Sequence, residues 1–257
     1  MGEETTWFDL LPGAYGLKAV LAHSLGRDWK WLMFQDTHFD LWHVAGALMV
    51  LAFVTVAALA YHRAATAQSG DDRIVPPPTF NLRNLVEMLT ETVMSVAIGV
   101  MGKHNARRFL PLIGTLAFFI FFSNCLALIP GFIPPTATLK TNVALALTVF
   151  VLTHAFGVAE HGLGYFKHFL GPVWYLAWLM LPIEIVSHLA RPLSLSLRLL
   201  GNIAADHKVV SAFFLLVPVL VPVPFLILGV LVVIVQTLVF CLLSMIYIQG
   251  AVAHEEH

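Results

Sequence analysis

The stretch from Glu184 to Lys208, EIVSHLARPLSLSLRLLGNIAADHK, decides how the rest of the chain is read. It sits in a sequence that is otherwise apolar enough for a membrane, yet it carries Glu184, His188, Arg191, Arg198, Asp206 and His207. A charged group at the bilayer centre costs about 2.5–3.5 kcal/mol even on the lenient insertion scales, so such residues face a bundle interior or a water-filled cavity. Ser187, Arg191, Ser194, Arg198, Asn202 and Asp206 recur every three or four positions and form one stripe along a helix. Leu193, Leu195, Leu197, Leu199 and Leu200 cover much of the remaining surface. Glu184 precedes Arg198 by fourteen residues, which is about 21 Å along a helix axis and within about 40° of the same face. One helix thus holds a carboxylate, a guanidinium and a second carboxylate at different membrane depths. That layout suits an ion path better than a packed core.

Composition agrees with a membrane setting. Of 257 residues, 59% are hydrophobic and only 11% charged, with a mean hydropathy of +0.84. These values belong to multi-span helical membrane proteins; a soluble domain carries about twice the charge. The net charge of −1 leaves no basic footprint for nucleic acid. Cys125 and Cys241 both fall in apolar runs and are expected to be small buried hydrophobes, since a disulfide would need them to meet across helices. The opening MGEETTWFDL is acidic, with none of the short apolar core and cleavage site of a signal peptide.

Around the charged stretch the predicted fold is an all-α integral membrane protein. It has about three ordinary spans, interfacial helices, and a C-terminal hairpin of two long, strongly tilted helices. Residues 1–40 form an N-terminal interfacial or periplasmic segment, with Trp29, Trp31 and Phe34 at the membrane surface. Residues 41–257 form a single membrane domain. Leu41 to Tyr61 is the first span. AATAQSGDDRIVPPP is a polar link stiffened by Pro76, Pro77 and Pro78. Asn81 to Val100 is amphipathic, with Glu87, Thr90 and Glu91 on one side, and is expected to enter from the surface. Glu87 and Glu91 are best explained as a solvated face.

The basic knot KHNARR precedes the second span, Phe109 to Pro130, whose polar residue is Asn124. Asn142 to Gly162 is the third span, and Tyr165 to Trp178 an aromatic connector. The hairpin covers about 179–249. Its first helix runs from Leu179 to about Phe214, too long for an upright crossing, with Pro182 and Pro192 as kink points. Its second runs from Phe225 to Gln249 and is nearly all Leu, Val and Ile, so that Gln236 stands alone. Arg63, Arg73, Arg83, Lys103, Arg107 and Arg108 follow the first span, against Lys140 after the second. The positive-inside rule then places the N-terminus outside and the C-terminus in the cytoplasm.

No HExxH, Gly-rich phosphate loop or nucleophile elbow is present, so no enzyme chemistry, metal or cofactor is expected from motifs. Twelve histidines leave one rival open. His154 and His188 lie in separate helices and could ligate one haem iron, as in an electron-transfer anchor. A self-contained ion transporter is a further alternative. Arg198 itself has two explanations: a structural charge satisfied by Glu184 or Asp206, or a residue whose partner lies elsewhere and comes and goes. Guanidinium cannot relay a proton but can hold a carboxylate ionised. Glu184, Asp206, His188 and His207 can relay protons.

SLSLRLLGN (Ser194 to Asn202), preceded by PIEIVSHLARP and followed by VIVQTLVF with Gln236, resembles subunit a of the F-type ATP synthase. PLIGTLAFFIFFSNCLALIPG, Pro111 to Gly131, resembles that family's second-span signature. The resemblance covers the chain from about Phe80 onward. It implies a non-catalytic stator in a bacterial inner membrane, beside a rotating ring of c subunits and a peripheral stalk of subunit b. Two aqueous half-channels carry H⁺ to and from the ring carboxylates. Arg198 matches the family's essential arginine, Asn202 and Gln236 its polar partners, and Glu184 the acid of the cytoplasmic-side channel. His207, with Asp206, falls at the outer relay. Many bacterial members pair an acid and a histidine across the last two helices; here His207 is on the first of these and the facing region of the last offers only Gly229 and aliphatics, so Asp206 would take that partner's place from within the same helix.

Overall fold

The computed structural model describes residues 42–67, 82–129, 132, 134–162, 164–165, 177–216 and 222–253. Five helices run through them: α1 Trp42–Ala67, α2 Leu82–Cys125, α3 Leu139–His161, α4 Ala177–Leu216 and α5 Pro222–Val252. No strand occurs among the described residues. Four helical stretches, in α1, α2, α3 and α5, are long and apolar enough to cross a membrane. In lipid no water satisfies backbone polar groups, so helices that bond internally are the expected solution. Side-chain hydroxyls follow the same rule. Those of Thr55, Thr90, Thr115, Thr148 and Thr237 each donate to the carbonyl four residues earlier, at 2.6–2.8 Å.

Residues 1–40, the polar link from residue 68 on and most of the aromatic connector lie outside the described residues; the first four residues of the link, 64–67, are instead the last turn of α1. The other elements fall where the periodicity predicts them, with one further difference. The amphipathic segment and the second span are not separated by a linker. They form one element bent at Gly102, whose φ of 74° and ψ of 164° break the helix in a region that suits glycine. The knot KHNARR is helical and supplies the first turns of the second arm. It can be helical because Lys103, His104, Arg107 and Arg108 all point outward from the packed bundle.

Two clusters hold the helices together. One joins Ala97, Met101, Phe109 and Ile113 of α2 to Cys241, Met245 and Ile248 of α5. The other joins Ile120 of α2, Val149 of α3, Leu199 and Ile203 of α4 and Phe240 of α5. Cys241 is buried and Cys125 half-buried, both as free thiols. α1 lies against α2 through an edge-to-face contact of Phe53 and Phe122, 5.0 Å between centroids. Polar ties close the ends. Asn105 Nδ2 donates to Gln249 Oε1 at 3.1 Å, and Arg108 pairs with Glu160 at 3.0 Å.

At the far end of α2 a buried knot fixes the loop to α3. Thr136 Oγ1 donates to Asn124 Oδ1 at 2.7 Å, and Asn142 Nδ2 donates to the Thr136 carbonyl at 2.7 Å. All three residues are fully buried. Asn142→Leu keeps the volume but strands that carbonyl. Hydrogen bonds within membrane bundles average about 0.6 kcal/mol and reach about 1.7, and a stranded buried acceptor adds to the loss. The variant is expected to lose about 1–2 kcal/mol of stability, read by detergent-titrated unfolding of the purified chain. An unchanged midpoint would show that the loop is held by packing alone.

Candidate functional site

The charged stretch lies within α4, a helix of 40 residues with Pro182 and Pro192 inside it. Pro192 has no N–H to give to the carbonyl of His188, one turn back. Near it two hydroxyls bond to the carbonyl three residues earlier: Ser194 to Arg191 and Ser196 to Leu193, each at 2.9 Å. One face of α4 packs inward through Leu195, Leu199 and Ile203. The other turns out of the bundle and carries Ile183, Val186, Leu189, Leu193 and Leu197. An apolar outward face on a helix bearing an arginine is the arrangement to be explained.

Arg198 lies on that outward face. Its exposed neighbours one turn away are Ser194, Gly201 and Asn202, all small or polar, while Leu195 turns inward. A Cβ placed on Gly201 meets nothing within 4 Å, so the surface beside the guanidinium is open. Among the described residues no carboxylate pairs with Arg198. Glu184, one of the two internal partners the sequence allowed, is instead 3.1 Å from Nε2 of His188. The side chains of Asp206, the other one, and of His207 lie outside the described residues.

A seam runs between α4 and α5. Asn202 Nδ2 donates to Gln236 Oε1 at 2.6 Å. Gln236 is only 3% exposed, on a helix dominated by Leu, Val and Ile, while Asn202 faces outward. The amide pair thus ties the buried side of the seam to the surface one turn from Arg198. Farther along, the Arg191 guanidinium sits 5.3 Å from the centroid of the Tyr247 ring. As the position on α4 rises from 191 to 202, its partner on α5 falls from 247 to 236. The two helices are therefore antiparallel and in fixed register. Serine and amide groups satisfied along this seam can sit in an apolar surrounding at little cost, whereas Arg198 on the open face cannot.

The half-buried side of α4 faces α3. The rings of His188 and His154 meet edge to face, 5.2 Å between centroids at 73°. His154 Nδ1 donates to the Phe150 carbonyl at 2.8 Å. The Tyr165 ring lies 5.9 Å from that of His154, and its approach depends on Gly157, where a Cβ would lie 2.5 Å from the ring. Two imidazoles in direct contact leave no room for a macrocycle between them, so this geometry gives no support to a haem held by His154 and His188.

Of the residues singled out from sequence, the structure brings together Glu184 with His188, His188 with His154, and Asn202 with Gln236, and among the described residues it gives Arg198 no partner in these pairs. Sequence reading passed over Tyr247, Asn142, Gly157 and Tyr165. Asn142 carried the usable signal, a polar residue at the start of an apolar run. The others meet their partners only across helices.

Residues 44–249 match the family model described as ATP synthase A chain. The chain is 53% identical over 209 residues to the ATP synthase subunit a 1 of Syntrophotalea carbinolica, covering 81% of this chain and 85% of that one. It is 45% identical over 210 residues to the ATP synthase subunit a of Trichlorobacter lovleyi, covering 82% and 84%. It is 47% identical over 187 residues to that of Sorangium cellulosum, covering 73% of each. The whole of α4, with the seam to Tyr247, falls inside the matched range.

Proposed function

The chain belongs to the ATP synthase subunit a family, and from that premise we propose that it is the non-catalytic stator of the membrane sector of an F-type enzyme. In this reading it supplies two offset aqueous half-channels that carry H⁺ to and from carboxylates on a ring of c subunits. Subunit b of the peripheral stalk holds it still. Its place is the bacterial inner membrane, with the N-terminus outside, the C-terminus in the cytoplasm, and α4 and α5 lying as a tilted hairpin against the ring.

The observation that carries the reading is Arg198: a permanent cation on an outward, apolar, open face, with no described carboxylate beside it. An uncompensated charge at that depth is costly. A carboxylate arriving on a moving partner removes the cost and is itself held ionised by the guanidinium. Guanidinium does not give up its proton, so Arg198 also bars a direct proton path between the half-channels.

Glu184 is the acid of the cytoplasmic half-channel. Its carboxylate is about a third exposed, which keeps it in reach of water, and His188 holds one of its oxygens. Asp206 and His207 serve the outer half-channel. Glu184→Gln is expected to slow ATP-driven proton pumping in membrane vesicles several-fold without abolishing it, since the amide leaves the partly exposed position polar. Wild-type pumping by an assembled Glu184→Gln complex would remove Glu184 from the path.

A further inference from the structure

The basic turn just past the Gly102 bend takes no part in the site described above. Its side chains Lys103, His104, Arg107 and Arg108 are all exposed, and at this spacing they share one face of α2. The opposite face is anchored: Ala106 and Phe109 are buried in the bundle, and Asn105 is tied to Gln249. Arg108 is paired with Glu160, yet its side chain stays 42% exposed. Among the described residues Lys103 and Arg107 have no acidic partner. From Phe109 the chain stays helical to Leu128, a path of about 30 Å that matches the hydrocarbon core of a bilayer. The turn therefore lies at a membrane surface. Beyond it the same face continues into the membrane through Pro111 and Thr115, both exposed. The Thr115 hydroxyl is satisfied by the Pro111 carbonyl at 2.6 Å, so this strip asks for no water. A Cβ on Gly102 or Gly114 meets nothing within 4 Å, which leaves the surface open on either side of the turn.

We propose that this turn binds the phosphate headgroup of an anionic phospholipid. Arg107 offers a planar fork that bonds two phosphate oxygens, and Lys103 adds a point charge one turn away. An acyl chain runs along the strip of Pro111 and Thr115. A lipid fits this face better than an acidic protein segment does. Phosphate and hydrocarbon are joined in the lipid in the same order as the basic turn and the open, dry strip are joined along α2. Each basic residue beside an anionic membrane surface raises binding about fivefold, so the two without an acidic partner already give a strong preference over a neutral lipid. Bound there, the headgroup holds the second arm of α2 at a fixed depth directly beside the bend. The inference is independent of the proton path.

The test is native mass spectrometry of the purified full chain in a neutral detergent, titrated with phosphatidylglycerol or with phosphatidylcholine. Lys103→Gln with Arg107→Gln removes both charges and keeps helix-forming side chains. Lys103→Arg with Arg107→Lys keeps the charges. Lys140→Gln removes a cation at the start of α3, the end away from Glu160. The wild-type, charge-keeping and Lys140→Gln chains are expected to prefer phosphatidylglycerol. The double glutamine chain is expected to bind it about thirtyfold more weakly, with phosphatidylcholine binding unchanged. Each single glutamine variant is expected to lose about fivefold, and this decides the matter if the double variant does not fold. Unchanged phosphatidylglycerol binding in the glutamine chains overturns the proposal. A loss in Lys140→Gln or in the charge-keeping chain as large as in the double glutamine chain overturns it as well, since charge at this turn is then not the cause. If the glutamine chain keeps its lipid affinity but the whole complex carrying it sheds another subunit on purification, the face docks an acidic protein segment and the lipid site falls.

Discussion

Arg198→Ala is expected to abolish ATP-driven proton pumping and coupled ATP synthesis while leaving the complex assembled. The side chain faces outward and makes no described hydrogen bond or ion pair within the chain, so its removal strands no internal partner. It relieves about 2.5–3.5 kcal/mol of membrane cost for the isolated chain, and the buried contacts of Leu195, Leu199 and Ile203 on the opposite face are untouched. What is lost is the only group proposed to hold a passing carboxylate ionised. Without it a carboxyl entering that apolar face keeps its proton, because burial disfavours its charged form. The measurement is fluorescence-quenching proton uptake in vesicles, alongside ATP hydrolysis by the released catalytic sector. Normal hydrolysis with no pumping is the expected pair of results. Normal pumping would make Arg198 a structural charge and reopen the stand-alone transporter.

Gln236→Leu is expected to reduce coupled pumping about three- to twentyfold, with assembly retained. The figure follows from the bond removed. Hydrogen bonds in membrane bundles are worth about 0.6 kcal/mol on average and up to about 1.7, and if that energy appears in the rate it gives a reduction of this size. Leucine is close to glutamine in volume, so the buried space on α5 stays filled. The amide of Asn202 loses its acceptor and the seam loosens one turn from Arg198. The damage therefore reaches Arg198 through Asn202. Near-normal coupled synthesis would remove the support role proposed for the Asn202–Gln236 pair.

Much of this architecture was legible because membrane spans announce themselves by length and apolarity, and because a charge in such a setting has few explanations. Arg198, Glu184 and Gln236 were visible on those grounds alone. Spacing, however, speaks only along one helix. It put Asn202 on the stripe of Arg198 but could not show that its amide reaches across 34 positions to Gln236. It offered His154 and His188 as a pair without fixing their separation, and direct ring contact was the feature that decided against a haem between them. Asn124 was legible as polar, whereas its partner Thr136 arrives through a loop whose path depends on packing. The knot KHNARR was legible as a cluster of charges ahead of the second span, but not as the helix that joins it to the amphipathic arm. Lys, Arg and Ala are good helix formers, and exposure of the cations removes any objection to a helix.

The bend at Gly102 makes the first arm of α2 a lever. From Leu82 to Met101 that arm is about 30 Å long. Its buried contacts, Ala97 and Met101, sit next to the pivot, and its tip carries none among the fully buried residues. A rotation of about 10° at one glycine therefore sweeps the far end through about 5 Å, given the helical rise. The backbone torsions at Gly102 thus bear directly on where Glu87, Thr90 and Glu91 sit relative to the bundle.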